Sequence, residues 1–330
     1  MTSSKLRGTR VLITGGAGLV GSHIADRLAY EDVAEVVILD NFVRGRIENL
    51  DRARQRLAKL TVIEGDITDP ATVREAMQGI DAVFHQAALR ITQCAEMPRV
   101  AVDSLIGGTF NVLEAAVEAG VRKVVAASSA SVYGEPSYVP MDEGHPFNNR
   151  TLYGACKVAD EQLLRSFNEM YGLETVALRY FNVYGPRMDA FGVYTEVLIR
   201  WLERLARNQR PVIFGDGMQT MDFVYVGDVA EANVLAMLSG ASDDVFNVGT
   251  GKETSLRELC RRLCDAAGRP DVEPLFEPAR TVNPVTRRLA ATGRAREGIG
   301  FVATTGLDEG LAHLVHWYRS TVRPELAVTR

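Results

Sequence analysis

The chain has 330 residues, 46% of them hydrophobic and 24% charged, enough to bury a core as one large α/β unit or as a cofactor domain with a smaller partner. A formal net charge of −5 excludes a broadly basic surface, and so argues against nucleic acid or an anionic membrane as partner, while leaving room for a local basic pocket around a phosphate. No apolar run approaches the ~20 residues that span a bilayer, and Met1–Arg10 is too short and polar for a secretory signal, so the expectation is a cytosolic chain.

The first half alternates short β-branched runs with helical stretches. Arg10–Thr14, Val36–Leu39, Leu60–Glu64, Ala82–His85 and Lys123–Ala127 read as strands; Ser22–Tyr30, Pro70–Met77 and Gly108–Ala119 read as helices between them. Continuous apolar strands alternating with helices predict βαβ units and a doubly wound parallel sheet, with its ligand crevice at the C-terminal strand ends. Further on, Tyr153–Tyr171 reads as a long helix, Glu174–Arg179 as a strand, Val193–Asn208 as a helix and Val245–Val248 as a late strand. Ser255–Ala267 and Leu307–Tyr318 read as closing helices. Joints rich in Pro and Gly (Gly185–Pro186, Gly215–Gly217, Pro270–Pro278, Pro284) cut this half into small pieces, as in a second lobe packed on the first.

The cysteines Cys94, Cys156, Cys260 and Cys264 have no CxxC spacing. Cys260 and Cys264 fall within the apolar stripe Leu256, Leu259, Leu263, Ala267, so core packing is the expectation over a thiolate pair. His313 and His316, beside Trp317, read as packing residues, and no metal constellation is present.

Gly15, Gly18 and Gly21 follow the first strand with G-x-x-G-x-x-G spacing and open the first helix. Such spacing gives a tight turn, close approach of the backbone to a pyrophosphate, and a helix N-terminus whose amides meet it. Asp40 ends the second strand, where a carboxylate accepts from the adenosine ribose hydroxyls and repels a 2′-phosphate; this favours NAD over NADP, with Arg44 and Arg46 nearby as the opposing signal. Asp66 follows the third strand, either as a cap or turn residue or at the adenine edge.

Tyr153 and Lys157 stand four apart at a helix start and so share a face. A phenol titrates near pH ~10, and an ammonium one turn away stabilises its anion, making it a usable base. By itself Y-x-x-x-K is as often an exposed helix pair. Here it follows both the glycine turn and Ser128-Ser129-Ala130-Ser131-Val132-Tyr133-Gly134, which closes the Lys123–Ala127 strand at the crevice.

These features, with Gly65-Asp66-Ile67, His85-Gln86-Ala87-Ala88, Arg179–Arg187, Gly215–Gly217 and Asp222–Val226, make the chain resemble the extended short-chain dehydrogenase/reductase superfamily, in its NAD-dependent nucleotide-sugar epimerase/dehydratase group. The resemblance spans nearly the whole chain. It implies a Rossmann NAD-binding domain at 1–181, to which the late strand near 244–250 returns, and a mainly nucleotide-sugar-binding lobe at 182–330. For the cofactor it implies Gly15, Gly18, Leu19, Val20, Asp40, Asn41, Asp66, Ile67, Gln86, Ala87, Ala88, Arg90, Ser128, Tyr153, Lys157 and Tyr180, with His85 shaping the wall. For a UDP-sugar it implies Ser129, Asn182, Tyr194, Val197, Leu198 and Arg280. Tyr153 is then the acid/base at the sugar 4-hydroxyl, Ser129 and Ser131 share its proton path, and Lys157 holds the nicotinamide ribose. Hydride leaves sugar C4 and returns on the other face of a 4-keto intermediate. Family analogy also implies a homodimer formed through Gly108–Ala119 and Tyr153–Tyr171.

Related 4,6-dehydratases carry an Asp-Glu pair where this chain has Ala130 and Ser131, and related decarboxylases a Glu, so elimination favours C4 epimerisation of a UDP-hexose, plain or N-acetylated. UDP-glucuronate 4-epimerisation, and decarboxylation, dehydration or reduction, stand as alternatives; a non-catalytic NAD-binding protein conflicts with the intact Ser129, Tyr153 and Lys157. Uronate ranks below neutral hexose, because Asp189 occupies the place of an arginine found in uronate-using relatives and Arg90 is the nearest basic candidate. Three positions depart from the family pattern. Met221 replaces a diphosphate-gripping Arg, with Arg287 or Arg288 as substitutes. Leu105 replaces a cofactor-contacting Asn, and Leu289 takes the place of a bulky residue that gates sugar size.

Overall fold

The computed structural model describes residues 6–192, 196–279 and 286–324. The first half runs β1 (Arg10–Thr14), α1 (Leu19–Leu28), β2 (Glu35–Asp40), α2 (Asp51–Arg56), β3 (Leu60–Glu64), α3 (Pro70–Ala76), β4 (Ala82–His85), α4 (Ile91–Glu96), α5 (Pro98–Val102), α6 (Gly108–Glu118) and β5 (Lys123–Ser129). Then follow α7 (Leu152–Tyr171), β6 (Glu174–Tyr180), β7 (Asn182–Tyr184), α8 (Val197–Ala206), β8 (Val212–Phe214), β9 (Thr220–Met221), β10 (Phe223–Tyr225), α9 (Val226–Leu238) and β11 (Asp244–Val248). The chain closes with β12 (Thr254–Ser255), α10 (Leu256–Ala266), β13 (Leu275–Glu277), β14 (Arg287–Arg288), α11 (Gly293–Ile299) and α12 (Leu307–Trp317).

Seven parallel strands form one sheet in the order β11-β6-β5-β4-β1-β2-β3. Both faces are covered, which is why the strands are apolar throughout: every residue of β2 is buried. The two-residue period sends Val11 and Ile13 to one face, with Ile24 and Leu28 of α1 and Val229 and Met237 of α9. Leu12 goes to the other, with Val73 of α3, Val112 and Leu113 of α6, and Leu164 and Phe167 of α7. The strand order turns at β1 and β4, which pair with each other, so the crevice of a doubly wound sheet opens at the ends of these strands. A third core, built on α8, α10 and α12 around Trp201, Leu259, Leu263 and Leu311, holds the smaller lobe together; Cys260 and Cys264 are buried in it.

Several boundaries differ from expectation. The first helix begins at Leu19, three residues before Ser22, because the glycine turn feeds straight into helical backbone. The expected start of the Val193–Asn208 helix lies outside the described residues; its described part is α8. Pro98–Glu118 is a 21-residue helix long and apolar enough to cross a membrane by length and composition, although Arg99, Asp103, Glu114 and Glu118 interrupt its apolar residues. Gly107 and Gly108, which look like a break in the sequence, keep helical dihedrals through a π-turn at Asp103–Gly107 that joins α5 to α6. Its inner face, with Ala101, Leu105, Val112, Leu113 and Ala116, is buried in the fold. His313 and His316 lie on the exposed side of α12, His313 tilted against the Tyr225 ring, instead of packing inward.

Candidate active site

The turn after β1 is shaped by what a side chain would strike. Gly15 has a φ of +64°, and a Cβ there would sit 2.7 Å from the Ala87 backbone; one on Gly21 would sit 2.4 Å from the Gly15 carbonyl oxygen. The two glycines therefore let the turn nest between the end of β4 and the first turn of α1. No side chain caps the N-terminus of α1, whose amides open on a cleft of about 1340 Å³.

The residues nominated above for cofactor, catalysis or sugar nucleotide border this one cleft, except His85, Arg287 and Leu289, which do not line it, and Tyr194 and Arg280, which lie outside the described residues. Asp40 is buried there. Its carboxylate accepts from the Ala17 and Phe42 amides, both at 2.9 Å, and burial raises its pKa against those two bonds. Of the arginines that argued for a 2′-phosphate, Arg44 borders the cleft but faces Asp189 at 3.6 Å, and Arg46 stacks 3.7 Å from the Phe191 ring centroid. Asp66 is not the cap of α3, a place taken by Asp69 accepting from Ala71 N at 3.1 Å; Asp66 instead accepts from Asn41 Nδ2 at 2.7 Å and from Thr68. On the cleft floor, the Tyr180 hydroxyl donates to Gln86 Oε1 (2.9 Å) and accepts from Asn233 Nδ2 (2.8 Å). Gln86 Nε2 closes the ring on Asn233 Oδ1 (3.1 Å). Asn233, from α9, carried no sequence signal.

Tyr153 sits in the first turn of α7. Thr151 caps that turn, its Oγ1 accepting from Gly154 N at 3.1 Å. A Cβ on Gly154 would lie 2.6 Å from the Ser131 carbonyl oxygen, so the missing side chain is what lets this turn rest on the serine segment. Ser129 Oγ accepts from Ser131 N at 3.1 Å and so caps a short 3-10 turn while bordering the cleft. Ser128 differs: its hydroxyl donates to Glu161 Oε1 at 2.5 Å. Glu161 is itself held by Arg179 at 2.8 and 2.9 Å, and Arg179 also donates to Tyr133.

Lys157 is fully buried behind Tyr153 and donates to the Ala127 carbonyl at 2.9 Å and to Asp160 Oδ2 at 3.0 Å, leaving one of its three N–H bonds. Burial opposes its charge, but Asp160 and Tyr153 outweigh it and hold its pKa above the ordinary lysine value. The polar chain continues through Thr109, which donates to Asp160, to His85 Nε2 at 3.0 Å, and from His85 Nδ1 to Thr14 Oγ1 at 2.7 Å. His85 thus lies beneath the cleft instead of shaping its wall; burial, then Lys157, lowers its pKa to about 3 and keeps the ring neutral.

The smaller lobe contributes Val197, Leu198, Trp201, Phe214 and Phe223, and Asn182, whose buried Oδ1 has no partner among the described residues. Leu105 does not border the cleft but packs with Cys94, Ala101 and Cys156 under α7. The expected gate, Leu289, also faces away. The extended backbone from Arg287 alternates sides, so Arg287 is exposed on Glu253, Arg288 turns into the cleft, and Leu289 turns out again, its carbonyl accepting from Met141 N at 2.8 Å.

Residues 11–249 match the family described as NAD dependent epimerase/dehydratase family. The chain is 40% identical over 314 residues to the UDP-glucose 4-epimerase of Mycolicibacterium smegmatis, covering 94% of this chain and 99% of that protein. It is 37% identical over 316 residues to a putative UDP-glucose 4-epimerase of Methanocaldococcus jannaschii, covering 95% and 99%. Among solved structures, the UDP-glucose 4-epimerase of Thermotoga maritima with UDP-glucose superposes with a TM-score of 0.88 at 34% identity, over 95% of this chain and 99% of that one.

Proposed function

Because the chain belongs to the NAD dependent epimerase/dehydratase family, we propose that it interconverts UDP-sugars that differ in configuration at C4, with Tyr153 as the acid/base. The observation that carries this reading is one cleft bordered at once by the glycine turn, Ser129, Ser131, Tyr153, Lys157 and Asn182. The residues fit NAD: a cradle that a Cβ would fill at Gly15 and Gly21, and a carboxylate at Asp40 where a 2′-phosphate would be repelled. When bound, NAD supplies the acceptor and donor for the hydride of sugar C4. The protein's part is proton transfer and positioning. Tyr153 takes the proton of the 4-hydroxyl and returns it to the 4-keto sugar's oxygen, Lys157 stabilises the phenolate through its charge, and Ser129 and Ser131 supply hydroxyls along the proton path. Asn182 and the start of α8 hold the nucleotide diphosphate. Ala130, at the place of a dehydratase carboxylate, is packed with Val132, Met141 and Phe181, so neither it nor Ser131 provides the pair that eliminates water.

The test is incubation with UDP-glucose, UDP-N-acetylglucosamine and UDP-glucuronate, with and without added NAD, followed by NMR. C4 epimers without net NADH support the reading; stoichiometric NADH, CO2 or a 6-deoxy-4-keto product assigns another reaction of the family. Tyr153→Phe keeps cofactor and loses about 10²–10⁴ in turnover; unchanged turnover sinks the mechanism. The partner proposed is a second copy of the chain, meeting through α6 and α7, where Phe110 and Met170 are large exposed apolar side chains. A monomer by light scattering contradicts it.

A further inference from the structure

Arg288 is a buried cation of the cleft to which the described residues offer no acceptor. Its Nε is buried without a hydrogen-bond partner, and no carboxylate among the described residues forms an ion pair with it. The other buried or half-buried cations bordering this part of the cleft each face a carboxylate, even where one of their N–H groups is also left over: Lys157 with Asp160, Arg44 with Asp189 at 3.6 Å, Arg90 with Glu196 at 3.4 Å, Arg187 with Asp26 at 2.8 Å. The side chain is not loosely placed. β14 pairs with β9 in the register Arg288↔Met221, Arg287 is tied to Glu253, and Ala291 N donates to the Met141 carbonyl at 2.8 Å. Ala290 packs with Ala130 and Phe181, which sets this segment against the serine end of the cleft.

Burial lowers the pKa of Arg288 to about 10, opposed by the Tyr153 phenol and by Glu135, so the guanidinium stays charged at neutral pH. A buried charge with no counter-ion in contact is costly unless a ligand brings one. A UDP-sugar has a diphosphate, and some have a second anion on the sugar. Tyr153 acts at C4, and Arg288 is within electrostatic reach of its phenol and shares the wall formed by Ser131 and Phe181. That is the sugar end.

We propose that the preferred substrate bears a carboxylate in a substituent of C3 or C5, the ring carbons next to C4 of the sugar, and that Arg288 binds it. Two sources fit that chemistry: the C6 carboxylate of a hexuronate, attached at C5, or an acidic ether on O3. The proposal reverses the ranking of uronate below neutral hexose, which rested on Asp189; that residue is turned to Arg44. It rests on the cleft being a UDP-sugar site, and it replaces a size gate at Leu289 with a charge selector one residue earlier.

The experiment compares UDP-glucuronate, UDP-N-acetylmuramate, UDP-glucose and UDP-N-acetylglucosamine in the wild type, Arg288→Gln and Arg288→Lys. An acidic substrate is expected to have a kcat/KM about tenfold or more above the neutral ones, as for a charge-assisted contact. Arg288→Gln is expected to erase that preference and Arg288→Lys to keep part of it. Turnover of the glucuronate locates the carboxylate at C6; turnover of the muramate locates it on O3. Preference for neutral sugars overturns the proposal. So does an Arg288→Gln loss shared equally by all four substrates and by UDP as inhibitor, which places the guanidinium on the diphosphate. Calorimetric binding of UDP-glucuronate and UDP-glucose to NAD-loaded Tyr153→Phe needs no turnover and separates two failures. Acidic preference in binding without epimerisation by the wild type sinks the epimerase reading alone, and epimerisation with neutral preference sinks this one alone.

Discussion

Asp160→Asn keeps the shape around Lys157 and removes its counter-charge. The two side chains are 2% and 5% exposed and 3.0 Å apart. A buried ion pair contributes little as a whole, because desolvation of both charges offsets their attraction, but removing one member strands the other. The expected loss is about 3 kcal/mol, or roughly 4 °C in Tm for a chain of this size. The pH dependence identifies the cause. In the wild type the folded pKa of Lys157 is raised, so its contribution is complete below the unfolded value of about 10.4 and is lost as pH rises through the folded value. In the variant burial pushes the folded pKa below the unfolded one. Between the two the unfolded chain binds more protons, and stability rises with pH. Guanidinium unfolding of the NAD-free protein at several pH values from about 7 to 10 should then show a deficit that is largest near neutrality and narrows toward alkali. An unchanged midpoint, or a deficit constant with pH, refutes the reasoning.

Other changes act on the same architecture. Gly21→Ala puts a methyl 2.4 Å from the Gly15 carbonyl oxygen, so the turn must move; NAD titrated by fluorescence should bind about tenfold or more weakly. Gly154→Ala forces the first turn of α7 off Ser131 and displaces Tyr153; turnover should fall by about a hundredfold while NAD is retained, and equal loss of both argues for global damage instead. His85, buried with a pKa of about 3, is a group with a depressed value, so the wild type loses stability as pH falls below the unfolded value of about 6.5, at about 1.4 kcal/mol per unit. His85→Gln is less stable at pH 7.5 but lacks this acid penalty, so the two unfolding curves should converge as pH approaches 5; parallel curves would falsify the buried neutral ring.

The sheet was legible because a strand buried on both faces has to be apolar along its whole length. β1 and β4 have the bounds read from their residues alone, and α7 starts within a residue of the expected place, since Thr151 supplies a cap just before the apolar period begins. α9 was missed for the opposite reason. Val226, Val229, Ala230, Ala232, Val234, Ala236 and Met237 are all buried, so the helix packs against both α1 and the sheet with little polar face to mark a period. The short strands β7 to β10 and β12 to β14 pair with partners distant in sequence, and two or three residues carry no periodicity of their own.

At the site, legibility followed whether a residue's task is local. Gly15 and Gly21 answer to a turn a few residues long, and Tyr153 with Lys157 to one helical turn, so their spacing is visible in the chain. Gly154 is constrained by Ser131, Lys157 by the Asp160–Thr109–His85–Thr14 chain, and Tyr180 by Asn233; each constraint joins segments that meet only in the folded protein. The same distinction explains the shift from Leu289 to Arg288. A spacing argument tolerates an error of one residue on a helix, where neighbours still point broadly the same way. On extended backbone one residue reverses the side, so the step from 289 to 288 exchanges an outward apolar side chain for an inward cation. Register, which the Met141 and Met221 pairings impose, therefore decides whether this wall of the cleft sorts sugars by size or by charge.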